Sequence, residues 1–196
     1  MFLRSALLTA ALALAAPATA ATPAKQVMAD DIPVAHTPPG PGGYGRTFPP
    51  PVLKTCTEPL VKGAPDLRGI WKPIEHNGKP PERTSRFSTY AERIEQCGNR
   101  IVDMGGGTIA DARADGTEKN AVHDVSVRDY KTPIVAIASY ENGVFILRPK
   151  GTDREVKRWL DEKGRMHWTR PDYGHLILER IGGPNDPYTR DEPAKE

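Results

Sequence analysis

Net charge, cysteine and long apolar runs are all in short supply in this chain. Its 27 basic and 25 acidic residues nearly cancel, at a formal +2, and they are interspersed, which gives no reason to expect nucleic acid or an anionic membrane surface as a partner. After residue 16 no apolar stretch is long enough to span a bilayer, so no membrane span is expected. There is no Gly-x-Ser-x-Gly elbow, and neither of the two cysteines has the local sequence of a nucleophile. His123 and Asp124, adjacent in an expected strand, point to opposite faces and cannot pair as a base and its orienter. Hydrolysis therefore has no support, and no catalytic residue, cofactor or metal is expected.

The chain starts with Arg4, an apolar run from Ala6 to Ala16, Pro17 and then Ala18-Thr19-Ala20. That order of charged, apolar and small residues predicts a secretory signal peptide over 1–20. The first cysteine is Cys56, so no lipid anchor is expected near the cleavage site, and the protein is expected to be periplasmic or secreted. An even cysteine count in an exported chain favours a Cys56–Cys97 disulfide, with two free buried thiols as the alternative.

Prolines then crowd residues 21–65, at Pro23, Pro33, Pro38, Pro39, Pro41, Pro49 to Pro51, Pro59 and Pro65, with almost no periodic apolar pattern. Such a segment reads as an extended, disordered arm, tied down near Cys56 and free before it. Gly40 to Gly45, GPGGYG, follows no strand and opens no helix, so it reads as linker and not as a phosphate-cradling loop.

From 66 to 181 the texture changes to short apolar-alternating segments between glycine turns, with no convincing amphipathic helix. Ile134 to Arg148 is the strongest of these. Asn142-Gly143 supplies the positive φ angles of a two-residue turn, which pairs Glu141 with Val144, Tyr140 with Phe145 and Ala138 with Leu147. The opposite face (Val135, Ile137, Val144, Ile146) is also apolar, so this pair is expected inside a closed or doubly covered sheet. Arg93 to Met104 reads as one strand with a bulge at Gly98-Asn99. A three-residue loop at Pro171 to Tyr173 pairs Trp168 with Leu176, and a five-residue loop at Asp161 to Arg165 pairs Leu160 with Met166 and Arg158 with Trp168. The fold class expected is all-β: an antiparallel up-and-down barrel of about eight or nine short strands, closed because an open sheet this small would expose two long edges. Residues 182–196 read as a polar, disordered tail.

Gly69-Ile70-Trp71 on the first strand of the barrel, together with Arg180 on the last, resembles the Gly-x-Trp and terminal Arg of lipocalins and related calycin barrels. The resemblance implies that Gly69 and Trp71 lie at the closed end of the barrel and that Arg180 packs across the indole. The chain is also similar to short exported bacterial lipocalin-like proteins, in which segments like IEQCGNRIV, RADGT and the Glu-Asn-Gly hairpin recur and to which no activity is attached. It departs from lipocalins in lacking a long C-terminal helix. Thr169 to Tyr173 only faintly echoes the family's loop motif, with one strand after it where two belong. The small avidin-like barrels that inhibit metalloproteases also pair an exported barrel with one disulfide, so the resemblance does not choose a function.

The charges that alternate with apolar residues are the more informative ones: Asp111 between Ile109 and Arg113, and Arg158 between Val156 and Leu160. Facing inward, they would orient an amphipathic ligand such as a fatty or aromatic acid. The expected ligand site is Arg158 for the acidic head group, with Trp168, Tyr140 and Phe145 around the apolar body and Asp111 nearby. The alternatives are a protein-binding barrel such as a protease inhibitor, favoured by a filled lumen and a protruding arm, and an enzyme using the cavity. His167 and His175, on the outward face, supply two metal ligands where a site needs more.

Overall fold

The computed structural model describes residues 26–192, so the expected signal segment lies outside the described residues. Ten strands follow the arm: β1 (Gly69–His76), β2 (Glu92–Cys97), β3 (Arg100–Gly105), β4 (Thr108–Arg113), β5 (Val122–Val125), β6 (Pro133–Glu141), β7 (Val144–Pro149), β8 (Val156–Leu160), β9 (Met166–Arg170) and β10 (Gly174–Gly182). They form one antiparallel sheet in the order β4-β3-β2-β1-β10-β9-β8-β7-β6-β5. First and last strands pair, with Trp71 opposite Arg180, so the meander curls into a nearly closed barrel. The remaining seam lies between β4 and β5. It is stitched at one end, where Arg113 N donates to Asn120 O at 2.9 Å and Gly116 N donates to Ala138 O at 2.8 Å.

The expected fold class is the one observed, with ten strands where eight or nine were read. The extra strand comes from residues 93–104. Gly98, at φ +58°, makes with Asn99 a two-residue hairpin turn, so what reads as one bulged strand is the pair β2–β3, with Cys97 opposite Arg100. The three other registers hold as read: Tyr140 faces Phe145, Arg158 faces Trp168 and Trp168 faces Leu176.

Two apolar clusters lie on either side of β1–β4. One fills the lower barrel, with Trp71, Ile94, Ile101, Phe145, Met166, Leu176 and Leu178 buried. The other is outside the barrel, where Ala29, Phe48 and Leu53 of the arm cover Ile70, Val102, Met104 and Ile109. The described part of the arm is thus extended but not free before Cys56. It climbs β4, reaches the open end at Gly40 to Gly45 and descends to Cys56, which is bonded to Cys97 with Cα atoms 6.2 Å apart. At the top the glycines serve backbone contact: Tyr44 N donates to Gly107 O at 3.0 Å, and a Cβ on Gly43, whose φ is +56°, would collide with that carbonyl. The tail is corrected in the same way. Gly182 ends β10, Phe48 N donates to Tyr188 O at 3.1 Å, and Arg190 N donates to Arg46 O at 3.1 Å, so 183–192 is bound along the arm.

The β6–β7 hairpin thus lies within a nearly closed sheet, one of the two settings expected, while the doubly covered strands are β2 and β3. Every residue of β2 is buried, including Glu92, Arg93, Glu95 and Gln96. The outward face of the hairpin is mostly half-exposed, although Ile146 is buried.

Candidate functional site: the barrel lumen

The lower end of the barrel is plugged. Trp71 donates its indole N–H to Leu67 O at 2.7 Å. The Arg180 guanidinium lies 4.7 Å from the Trp71 ring centroid and Nη2 donates to Asp66 O at 2.9 Å. Gly69 takes φ +148°, and a Cβ there would press on the Arg180 stem and the Gly182 carbonyl, so the close strand crossing needs glycine. Gln96 crosses the same floor, donating to Tyr140 Oη at 2.8 Å and to Pro65 O at 3.0 Å. Tyr140 packs against Phe145 at 5.7 Å.

Above the floor, three charged side chains from three strands meet. The β8 residue Arg158 donates from Nη2 to Glu92 Oε2 at 2.9 Å and from Nε to Glu92 Oε1 at 3.3 Å, and Nη2 is also 2.7 Å from Asp103 Oδ2. Its guanidinium stands 5.3 Å from the indole centroid of Trp168, which stacks on Tyr90 at 5.6 Å. Tyr90 in turn donates its hydroxyl to Glu92 Oε2 at 3.1 Å. Alternation puts all of these on one side: with Ile94 and Ile101 in the barrel core, Glu92 and Asp103 must face inward too.

Burial sets the electrostatics. It raises Asp103 to about 7, with Arg158 working against the shift and the Glu92 charge adding to it. Burial also opposes the charge of Arg158, but Asp103 and Glu92 outweigh it and hold the guanidinium above its ordinary value. Tyr90 is pushed up by burial and by the Glu92 charge.

A cavity of about 430 Å³ opens above this group, with Asp103, Arg158 and Trp168 at its base and Ala110, Ala136 and Leu147 among its walls. That volume is in the range of small-molecule sites. Arginines line its mouth: Arg86 and Arg170 lie 4.4 and 4.5 Å from the Tyr173 ring, and Arg190 donates to Gly45 O beside it. Among the described residues, seven buried side-chain polar atoms have no hydrogen-bond partner. Four of the seven, Asp103 Oδ1, Arg158 Nη1, Trp168 Nε1 and Arg190 Nε, belong to residues lining this one cavity.

Of the expected site residues, the structure brings Arg158 and Trp168 together at the cavity. Tyr140 and Phe145 are instead part of the floor and do not line it. Asp111 is on the other side of the wall. β4 turns Ala110 and Ala112 inward, so Asp111 faces out beneath the arm, where it accepts from Arg100 Nε at 2.8 Å, Arg100 Nη2 at 2.7 Å and Ala35 N at 2.8 Å. Glu92, Asp103, Tyr90 and Arg190 were not legible as site residues. Reading Gly98-Asn99 as a turn would have placed Glu92 and Asp103 on the same face as Ile94 and Ile101.

Outside the barrel, His167 Nδ1 and His175 Nε2 are 2.9 Å apart and both rings stack against Trp159. Burial and the neighbouring His167 lower His175. No helix among the described residues is long and apolar enough to cross a membrane. The all-β, nearly closed antiparallel barrel is compatible with a calycin-like fold. In comparisons with known proteins, no family model and no curated sequence matches the chain.

Proposed function

We propose that this is an exported, lipocalin-like protein that holds one small amphipathic acid in its lumen. The observation that carries the reading is that, among the described residues, four of the unpartnered buried polar atoms belong to residues lining a single cavity. A buried polar atom without a partner costs about 1 to 3 kcal/mol, and concentrating that cost in one concave site is what a ligand with its own hydrogen-bonding groups would repay. Arg158 Nη1 and Trp168 Nε1 offer donors to a head group, and Ala110, Ala136, Leu147 and Val156 offer walls to an apolar body. The arginines at the mouth favour an anion over a cation. Tyr140 and Phe145 contribute by closing the floor.

The arm packed onto the barrel and the unfilled lumen weigh against a protein-binding barrel with a protruding arm. The plug formed by Gly69, Trp71 and Arg180 supports the likeness to lipocalins, and the disulfide is compatible with a periplasmic or extracellular location. Native mass spectrometry of the protein purified from its source tests the reading: a co-purified small acid released on unfolding is expected. Free protein that also fails to bind octanoate or naphthoate on titration would contradict it.

A further inference from the structure

The charge count at the base of the cavity goes further than the proposed function. One guanidinium, Arg158, already faces two carboxyl groups, Glu92 and Asp103, which share its Nη2, and Glu92 takes Nε as well. An incoming carboxylate would be the third acid around one buried cation. The rim arginines cannot settle the balance. Arg86 is exposed and lies against Tyr173, Arg170 also lies against Tyr173, and Arg190 is engaged with Gly45. The other ionisable groups lining the cavity are Tyr90, Tyr130 and Tyr173, with Tyr44 nearby, and burial keeps the hydroxyls of Tyr90 and Tyr44 protonated.

We infer that an acid ligand enters the lumen together with one proton, which Asp103 holds between its free Oδ1 and the ligand carboxylate. The inference rests on the acid-binding reading above and adds Asp103 as the residue that selects for a carboxylate. Geometry assigns the proton to Asp103 and not to Glu92. Glu92 receives three donors, from Arg158 Nε, Arg158 Nη2 and Tyr90 Oη, whereas Asp103 has Arg158 on Oδ2, the Glu92 carboxyl group beside it and no donor on Oδ1. Protonated there, Asp103 becomes a donor, and with Arg158 Nη1 and Trp168 Nε1 it gives three donors for the ligand carboxylate. Burial, with the Glu92 carboxyl group adding to it and Arg158 opposing it, already brings Asp103 to about 7, so the proton is available near neutrality. A neutral alcohol needs no such proton.

Isothermal calorimetry of octanoate binding, in pairs of buffers with different protonation enthalpies, counts the protons directly. Proton uptake near zero is expected at about pH 6, where Asp103 is already protonated, approaching one at about pH 8.5, with affinity falling up to about tenfold per pH unit above 7. Octanol should show no uptake at either pH. Asp103→Asn should bind octanoate at about pH 8.5 at least about tenfold more tightly than wild type, with no uptake. Octanoate binding at high pH without proton uptake by the wild type would overturn the inference while leaving the acid-binding reading in place, and this holds whether or not the variant folds. No octanoate binding at either pH would overturn both.

Discussion

Arg158 and Trp168 face each other across β8 and β9, and the guanidinium that lies over the indole also holds Glu92 and Asp103 from the far side of the barrel. One side chain thus ties β8 to β2 and β3 through the lumen. Arg158→Met is expected to destabilise the fold by about 3 to 5 kcal/mol at neutral pH, because it strands two buried carboxyl groups. Urea unfolding measures it. The loss should shrink as pH falls below about 7 and Asp103 protonates.

Trp71→Ala should cost about 3 to 5 kcal/mol, the range for truncating a fully buried aromatic. Trp71 has 0% exposure and supports the cation of Arg180 from within. A loss below about 1 kcal/mol in the same unfolding experiment would show that the floor holds without its indole.

Under the arm, burial raises Glu95 to about 7, with the Leu53 N–H that bonds its Oε2 working the other way. A carboxyl group raised in this way binds its proton more tightly folded than unfolded. Its contribution is therefore greatest below the unfolded value of 4.5, and stability declines as pH rises to about 7. Glu95→Gln should remove that decline, raising stability at about pH 8 by roughly 2 to 3 kcal/mol relative to wild type while changing it little near pH 4.5. Because Asp103 titrates in the same window, the difference between variant and wild type across pH is the quantity to measure.

The Cys56–Cys97 bond closes a 41-residue separation and fastens the arm to β2. The chain-entropy argument gives about 3 to 4 kcal/mol for such a loop. Thiol titration of the unfolded protein should find two thiols only after reductant, and the reduced form should lose protection first in 26–56, seen by hydrogen exchange.

How far the sequence could be read depended on whether a strand's two faces differ. Along Glu155 to Ile181 one face is plainly apolar and the turns have few possible lengths, so the register could be fixed and the Arg158–Trp168 contact followed from it, while around Asn142-Gly143, where both faces are apolar, the two-residue turn fixed it. Glu92 to Met104 was not readable that way. Its inward face carries Glu92 and Asp103, its outward face carries Arg93, Glu95 and Arg100, and all are buried because the arm covers the outside. Polar groups in a doubly covered strand hide its alternation, and only partners distant in sequence, Arg158 for the inner pair and the arm backbone for Arg100, make them tolerable. The arm misled for the opposite reason. Proline-rich chain has no period to read, yet Phe48 and Leu53 still bury fully as single residues. Asp111 reads as inward-facing from its sequence but faces out, because Ile109, its apolar neighbour on that face, belongs to the arm's cluster and not to the lumen.

The central claim is that the lumen is a binding cavity, and filling it is the most direct test. Ala110 borders the cavity and is only partly buried, so Ala110→Phe should project its ring into the open volume with little cost to the fold. Octanoate titrated against both proteins at about pH 6, following tryptophan fluorescence, should saturate the wild type at one ligand per chain and bind the variant at least about tenfold more weakly. Equal binding by the two, or none by either, would contradict the account.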